Sequence, residues 1–587
     1  MSSPKSPIAE GFVAIGIDTI EENHEDGADF DNSLEKQAQP ATDAVPASEI
    51  LPQASERQEL LVEELDSVLP ILKLFNGLVS INDTYYIQGG ASQDELLKAA
   101  SIAKNITKYT VTDHPKDRDN PKIHTGAFLR LVQLLNPVTH STILFPNLTH
   151  LRIDRAAASA DQLTLFCAPS LNRLELIDIS DDRQDVLRVF LRILADTSKG
   201  LESITLQGPV QYSSLKNILL FDQLCHLHIN AATTIKTGFL KVLGSRSPSL
   251  EALRIDMSKA KYVRYPSRTS ASESVTTTVA QTRFHRLSKL YITGGTELIE
   301  DMLGMVSSKD LDELSLVYQW PTPSTLAMPK KLPGMSLLES EKIKKRLGPM
   351  ETLTWASAQD SFFSALNSAL LNWKDTLRVV DVGIYLDDWT SLGIQVGTPG
   401  GRSVSPPLII PEATFSRLMD IELRELRVSE WKVDSDYDII QHLLDAQRNK
   451  LLEVLELPAV RQDQEGIPLV QLSTIAQNFP KLHSLICPLD FDVLDDDDDD
   501  PLPFPAKALS HQLRSLGIWY TEAPDDEHLP ILARYIDYLF PEIDSIFSMG
   551  YDSEEEEENW RVLGNLVKLC QSVRKDDVSR RISEVAL

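Results

Sequence analysis

Along most of this chain the apolar residues recur in one short phrase. It reads apolar, two variable residues, apolar, one variable residue, apolar. Leu148-Leu151-Ile153, Leu171-Leu174-Leu176, Leu201-Ile204-Leu206, Leu224-Leu227-Ile229, Leu250-Leu253-Ile255 and Leu287-Leu290-Ile292 all fit it. Ile106-Tyr109-Val111 precedes them. Leu311-Leu314-Leu316, Leu377-Val380-Val382, Leu418-Ile421-Leu423, Leu452-Leu455-Leu457, Leu482-Leu485-Cys487 and Leu513-Leu516-Ile518 follow, and Ile543-Ile546-Ser548 is a degraded last copy. Alternation over the last positions predicts a short strand with one side in a core. In a chain that is 42% hydrophobic a single copy means little, so the flanks carry the weight.

Several copies share a lead-in: Phe145-Pro-Asn-Leu148, Ala168-Pro-Ser-Leu171, Ser247-Pro-Ser-Leu250 and Phe479-Pro-Lys-Leu482. Proline there ends a preceding helix and sets the turn into the strand. Helical spacing appears upstream, at Asp185–Leu194 (Val186, Val189, Phe190 and Ile193 on one face), Phe362–Trp373, Ile439–Ala446 and Leu469–Asn478 behind Pro468. The repeating unit is therefore helix, turn, short strand. Many first positions lie 23–31 residues apart, against a leucine-rich repeat period of about 20–29. The expected fold is α/β: an irregular leucine-rich repeat solenoid over 101–550, a curved parallel sheet with helices on the outer face. Longer gaps predict inserted loops near 258–283, 320–350, 390–410 and 491–508.

Before the repeats, residues 1–55 are rich in Asp, Glu, Ser, Pro and Ala and poor in large apolar residues. They are expected to be a disordered acidic tail. Leu60, Leu61, Leu65, Val68, Leu69 and Leu72 have helical spacing, which predicts a helical N-terminal segment or cap over 56–100, with Pro70 kinking or ending its first part. Residues 551–587 read as an acidic run and a C-terminal helix.

The phrases Leu144-Phe-Pro-Asn-Leu-Thr-His-Leu-Arg-Ile153, Phe166-Cys-Ala-Pro-Ser-Leu-Asn-Arg-Leu-Glu-Leu176 and Arg246-Ser-Pro-Ser-Leu-Glu-Ala-Leu-Arg-Ile255 resemble the irregular leucine-rich repeats of F-box proteins from mushroom-forming fungi. The resemblance spans about residues 100–550. It implies repeats that hold a substrate for a cullin-type ubiquitin ligase, and a three-helix F-box that docks a Skp-type adaptor. Here Leu51-Pro52 leads into the Leu60–Leu72 stretch, and no Cys or Trp precedes Cys167. The F-box is thus absent or degraded, and no residue is assigned to adaptor binding.

Charge narrows the choice. The net charge is −29 over 587 residues, yet −26 of it falls in residues 1–55 and 491–560. The intervening body is nearly neutral, so a general nucleic-acid binder is not expected. Cys167, Cys225, Cys487 and Cys570 form no CxxC pair, which excludes a zinc ribbon and a disulfide framework. Cys225 and Cys487 fall inside apolar patterns and are expected to be buried thiols. Met1–Glu10 has no apolar run after a basic start, and no run of eighteen apolar residues occurs. The expectation is neither a secretory signal nor a membrane helix, and a location in the cytoplasm or nucleus.

Candidate chemistry follows from strand alternation. The residue between the last two apolar positions leaves the core, giving a stripe of Arg152, Glu175, Thr205, His228, Arg254, Tyr291, Ser315, Asp381, Glu422, Glu456, Ile486 and Gly517. Arg152, Glu175, His228, Arg254, Tyr291, Asp381, Glu422 and Glu456 are the expected partner-binding residues of a concave surface. The plainer alternative is ordinary solvated strand residues. Asp492–Asp500 and Glu554–Glu558 lack the turn glycine of a calcium loop and read as solvated, self-repelling runs, or as a surface for basic proteins. Lys259–Arg268 mixes bases with Tyr262 and Tyr265 and reads as a mobile insert. Lys342–Arg346 is a short basic cluster. Gly397–Ser403 lacks the Lys-Ser/Thr ending of a phosphate loop. No HExxH, GxSxG, GxGxxG or kinase set occurs. The expectation is a non-enzymatic protein-binding repeat protein without cofactor or metal, with an acidic chaperone-like scaffold for basic proteins as the alternative.

Overall fold

The computed structural model describes residues 63–82, 84–111, 122–154, 163–260, 262–264, 283–319, 357–385, 409–432, 442–443, 450–458, 466–491, 494, 502, 504, 509–519, 524, 526–549 and 554–586. The 1–55 tail, Lys342–Arg346, Gly397–Ser403 and most of the four expected loops lie outside them. Contacts divide the chain into 1–60 and 61–587, and the description concerns the second unit.

Among the described residues fifteen strands form one sheet in which strand order equals chain order. They are β1 (Glu64–Leu65), β2 (Lys108–Val111), β3 (His150–Asp154), β4 (Arg173–Ile177), β5 (Ser203–Gly208), β6 (His226–Ala231), β7 (Ala252–Asp256) and β8 (Lys289–Gly294). The series continues with β9 (Glu313–Gln319), β10 (Val379–Tyr385), β11 (Glu425–Arg427), β12 (Val454–Glu456), β13 (Ser484–Cys487), β14 (Ser515–Trp519) and β15 (Ser545–Met549). Every neighbouring pair is parallel. A parallel pair needs a crossover, and the Pro-containing lead-ins are the turns that end four of these crossovers. Leu148 N–H bonds the Phe145 carbonyl, and Leu250 N–H that of Ser247, each at 3.2 Å.

The phrase residues fill the core. Leu148, Leu151 and Ile153 are buried, as are Leu250, Leu253 and Ile255. Burying a leucine stabilises by about 2 kcal/mol, and the phrase leucines of successive repeats belong to one continuous core, so each repeat is held by its neighbours as well as by its own phrase. The Gln184–Thr197 helix shows which side faces in. Leu187, Phe190, Leu191 and Leu194 are buried and Val189 is exposed. The apolar face read from Val186, Val189, Phe190 and Ile193 is therefore rotated, because the leucines at 187, 191 and 194 complete a wider stripe.

Two expectations need correction. Among the described residues, the helix expected over Leu60–Leu72 covers only Leu69–Leu72, with Pro70 in its first turn. Ahead of it Glu64–Leu65 is a strand paired with Lys108–Tyr109. The 56–100 stretch is a mixed cap rather than a helical one. A hairpin, Leu78–Ile81 with Thr84–Ile87, also pairs with Lys122–Ile123. It precedes the Gln93–Asn105 helix, which starts at a Ser92/Glu95 capping box. The second correction is register. Leu418 ends the Glu412–Met419 helix, and the phrase that enters the sheet is Leu423-Leu426-Val428, five residues on. All five of Leu418, Ile421, Leu423, Leu426 and Val428 are buried, so apolarity alone could not choose between the two readings.

Because the strands are parallel, their C-terminal ends share one rim. The connections 112–121, 155–162, 320–356 and 386–408 start directly after β2, β3, β9 and β10. At the end of the sheet, the Glu554–Ala586 helix buries Trp560, Leu563 and Val567. Its Gln571 side chain donates to the Ile543 carbonyl at 2.9 Å, and Arg574 donates to Asp537 at 2.9 Å. Cys167 and Cys487 are buried, whereas Cys225 is only partly so. No helix among the described residues is long and apolar enough to cross a membrane.

Candidate functional site

The side of the sheet turned away from the phrase residues carries one row in continuous register. It runs Arg152, Glu175, Thr205, His228, Arg254, Tyr291, Ser315, Asp381, Arg427, Glu456, Ile486, Gly517 and Phe547 across β3 to β15. Of the expected stripe, Glu422 is displaced. It lies in the turn before β11, 3.9 Å from Arg378, and Arg427 takes its place because of the register correction. Two residues earlier on each strand runs a second row on the same face, including Lys108, His150, Arg173, His226, Lys289, Glu313 and Glu425. Strand alternation, extended one step backward, would have found it.

At the β3–β4 end, Glu175 is buried yet ionic. Arg152 and Arg173 reach it at 3.3 Å and 2.6 Å, and His150 lies 3.3 Å away. Arg152 also holds Asp154 at 2.9 Å. Burial pulls the Glu175 carboxyl upward, but the Arg173 hydrogen bond and the charges of Arg173, His150 and Arg152 outweigh it and hold it low. The His150 ring is pushed below its ordinary value, chiefly by burial.

The β8–β12 stretch behaves differently. Glu313 takes Lys289 at 3.0 Å and the Tyr291 hydroxyl. Beyond it Ser315 donates to Asp381 at 2.9 Å. Arg427 lies 3.1 Å from Glu456 and 2.8 Å from Glu425. Ser429 also donates to Glu456, at 3.1 Å, and Glu430 accepts from the Ile384 N–H. Burial raises the carboxyls of Asp381, Glu430 and Glu456. The neighbouring carboxylates add to the rise at Glu430 and Glu456, and Arg427 opposes it only at Asp381 and Glu456. These acids hold less compensating charge than burial demands.

The β13–β15 end is apolar. Ile486 is buried, and a Cβ on Gly517 would meet Ile486 at 2.9 Å and the Phe547 ring at 2.9 Å. Gly517 thus lets two apolar side chains close over the backbone. Elsewhere, the start of the basic stretch at Lys259–Arg268 is structural: Tyr262–Val263 pairs with Ile235–Lys236, Tyr262 donates to Asp301 at 2.6 Å, and Arg264 bonds Glu300 and Asp301. Glu554–Glu558 forms the first turns of the C-terminal helix.

No protein-family model matches the chain, and no curated protein matches it. Among solved structures it is similar to one titled as the crystal structure of the Rad7 and Elc1 complex in yeast. The identity is 14% and the TM-score 0.30, over 79% of this chain and 81% of that chain. A likeness that distant says nothing about what this chain binds.

Proposed function

We propose that this chain is an irregular leucine-rich repeat solenoid that binds a protein partner on the open, curved face of its sheet and performs no chemistry of its own. The observation that carries the reading is the row held in register from β3 to β15, most of it partly exposed. It changes along its length from a self-paired cationic end to an undercompensated acidic centre and an apolar end. An extended partner segment reads such a surface by charge and register. The undercompensated centre favours basic residues in the part of the partner that crosses β10–β12. By its resemblance the chain presents that partner to a cullin-type ubiquitin ligase, in the cytoplasm or nucleus.

The test compares proteins captured by the full chain with those captured by two variants. Ser315→Arg places a long cation on the row beside Asp381. Arg192→Ser changes an exposed residue of the Gln184–Thr197 helix. A partner retained by Arg192→Ser and lost by Ser315→Arg supports the reading, and a partner retained equally by both overturns it. Capture without any Skp-type adaptor, and without adaptor binding through residues 51–100, removes the ligase role alone. The acidic-scaffold reading draws on the two acidic runs, Asp492–Asp500 and Glu554–Glu558. It requires binding of histone-like tails to fall when Asp495–Asp500 and Glu554–Glu558 are neutralised, and unchanged affinity rejects it.

A further inference from the structure

Between the Glu175 group and the Glu313 group, the face carries side chains whose hydrogen-bonding capacity is unmet. Ser203 and Thr205 lie on β5, His226 and His228 on β6, and Arg254 on β7. Ser203 stands opposite His226, and Thr205, His228 and Arg254 share a row. Neighbouring strands lie about 4.8 Å apart and alternate residues about 6.6 Å apart, so across three strands these groups bracket an area of about 9.6 by 6.6 Å, wide enough to admit one tetrahedral oxyanion. Among the described residues, none of the five side chains has a hydrogen-bond or ion-pair partner. Arg254 is steadied by the Tyr291 ring, 5.9 Å from its centroid, which leaves the edges of its guanidinium fork free.

The neighbours sharpen the contrast. Arg152 and Arg173 are taken by Glu175, and Lys289 by Glu313. Asp256, two residues along the strand from Arg254, already accepts from Asn230 at 3.2 Å and from the Ser258 N–H at 2.9 Å. The patch is therefore a gap between two self-paired groups, those of Glu175 and Glu313.

We propose that Ser203, Thr205, His226, His228 and Arg254 bind the phosphoryl group of a phosphorylated protein segment lying across the face, a site that rests on the partner-binding reading above. A phosphoryl group offers three acceptor oxygens and close to two negative charges. Arg254 supplies a bidentate fork, and the hydroxyls and imidazoles supply shorter-range donors. Nucleic acid fits less well. Its successive phosphates, a few ångströms apart, would run onto Glu175 on one side and onto Glu313, Asp381 and Glu425 on the other.

The experiment titrates the full chain with acetyl-phosphoserine amide and follows the ring protons of His226 and His228 by NMR, assigned with His226→Asn and His228→Asn. Acetyl-aspartate amide and an oligothymidylate are parallel probes. Both rings should shift saturably with the phosphoserine probe. Arg254→Ala should weaken that binding about tenfold or more, the worth of a charge-assisted pair, and Arg254→Lys should weaken it less. Urea midpoints matching the native chain keep these variants interpretable. Absent shifts, equal shifts with the aspartate probe, or tighter binding of the oligothymidylate would each overturn the phosphoryl-protein assignment. None of these outcomes bears on the partner surface, which the Ser315→Arg capture tests separately.

Discussion

Glu175 and Asp381 sit on the same row of the same sheet, and their surroundings push them in opposite directions. Glu175 is buried among Arg152, Arg173 and His150 and is held ionised. Asp381 is raised, and so are its neighbours Glu430 and Glu456, with Arg427 as a counter-charge shared by Asp381 and Glu456 alone. The difference separates structural charge from available charge. At β3–β4 the protein satisfies itself, and removing a charge should damage the fold. At β10–β12 the need for positive charge is incompletely met within the chain, so removing an acid should damage recognition more than stability, whereas removing the cation there should damage stability.

The largest effect is expected from Glu175→Ala, which removes the acid shared by Arg152 and Arg173 and leaves Arg173 without its carboxylate, while Arg152 keeps Asp154. A loss of about 2 kcal/mol, discounted because both arginines are partly solvated, should appear as a lower urea midpoint. Arg427→Ala should follow, at about 1–2 kcal/mol, because it leaves Glu456 and Asp381 without their cation and Glu425 with Arg424 alone. If its loss does not exceed that of Arg152→Ala, the contrast between the two regions fails.

The pH dependence carries the same contrast with opposite signs. Glu175, held low, contributes stability that is present above its unfolded value near 4.5 and lost as pH falls through its lower folded value. Asp381, Glu430 and Glu456, held high, contribute stability that is present below unfolded values of 3.8 and 4.5 and lost as pH climbs through their higher folded values. The triple variant Asp381→Asn, Glu430→Gln, Glu456→Gln should therefore gain on the native chain between pH 4.5 and pH 7, by up to about 1 kcal/mol after solvent screening. Urea midpoints at the two pH values measure it, and a gain that shrinks toward pH 7 contradicts the assignment. The smallest effect is expected from Arg152→Ala, about 0.5 kcal/mol, since Glu175 keeps Arg173 and His150.

The phrase residues made most of this architecture legible, because alternation in a parallel sheet follows directly from backbone geometry. Eleven of the twelve stripe positions fall on the observed row for that reason. Glu422 failed where two overlapping phrases, Leu418-Ile421-Leu423 and Leu423-Leu426-Val428, are both apolar and both buried. Only the end of the Glu412–Met419 helix decides between them. Glu64–Leu65 was hidden because a two-residue strand has no period of its own and exists through its pairing with Lys108–Tyr109. The ion pairs of Glu175 were invisible for a related reason: its partners come from β3 and from its own strand, and sequence spacing does not report which arginine turns toward it.

The single rim that carries the strand C-terminal ends has an evolutionary consequence. At the opposite rim each turn into a strand is tied to the backbone of the preceding repeat, as Thr149 N–H is to the Thr107 carbonyl and Arg173 N–H to that of Thr149. Added residues there would alter the step from strand to strand and throw the face out of alignment. Residues added after a strand leave that step untouched. Lineages carrying this fold are thus free to lengthen, shorten or exchange loops along one margin while inheriting an unchanged reading surface.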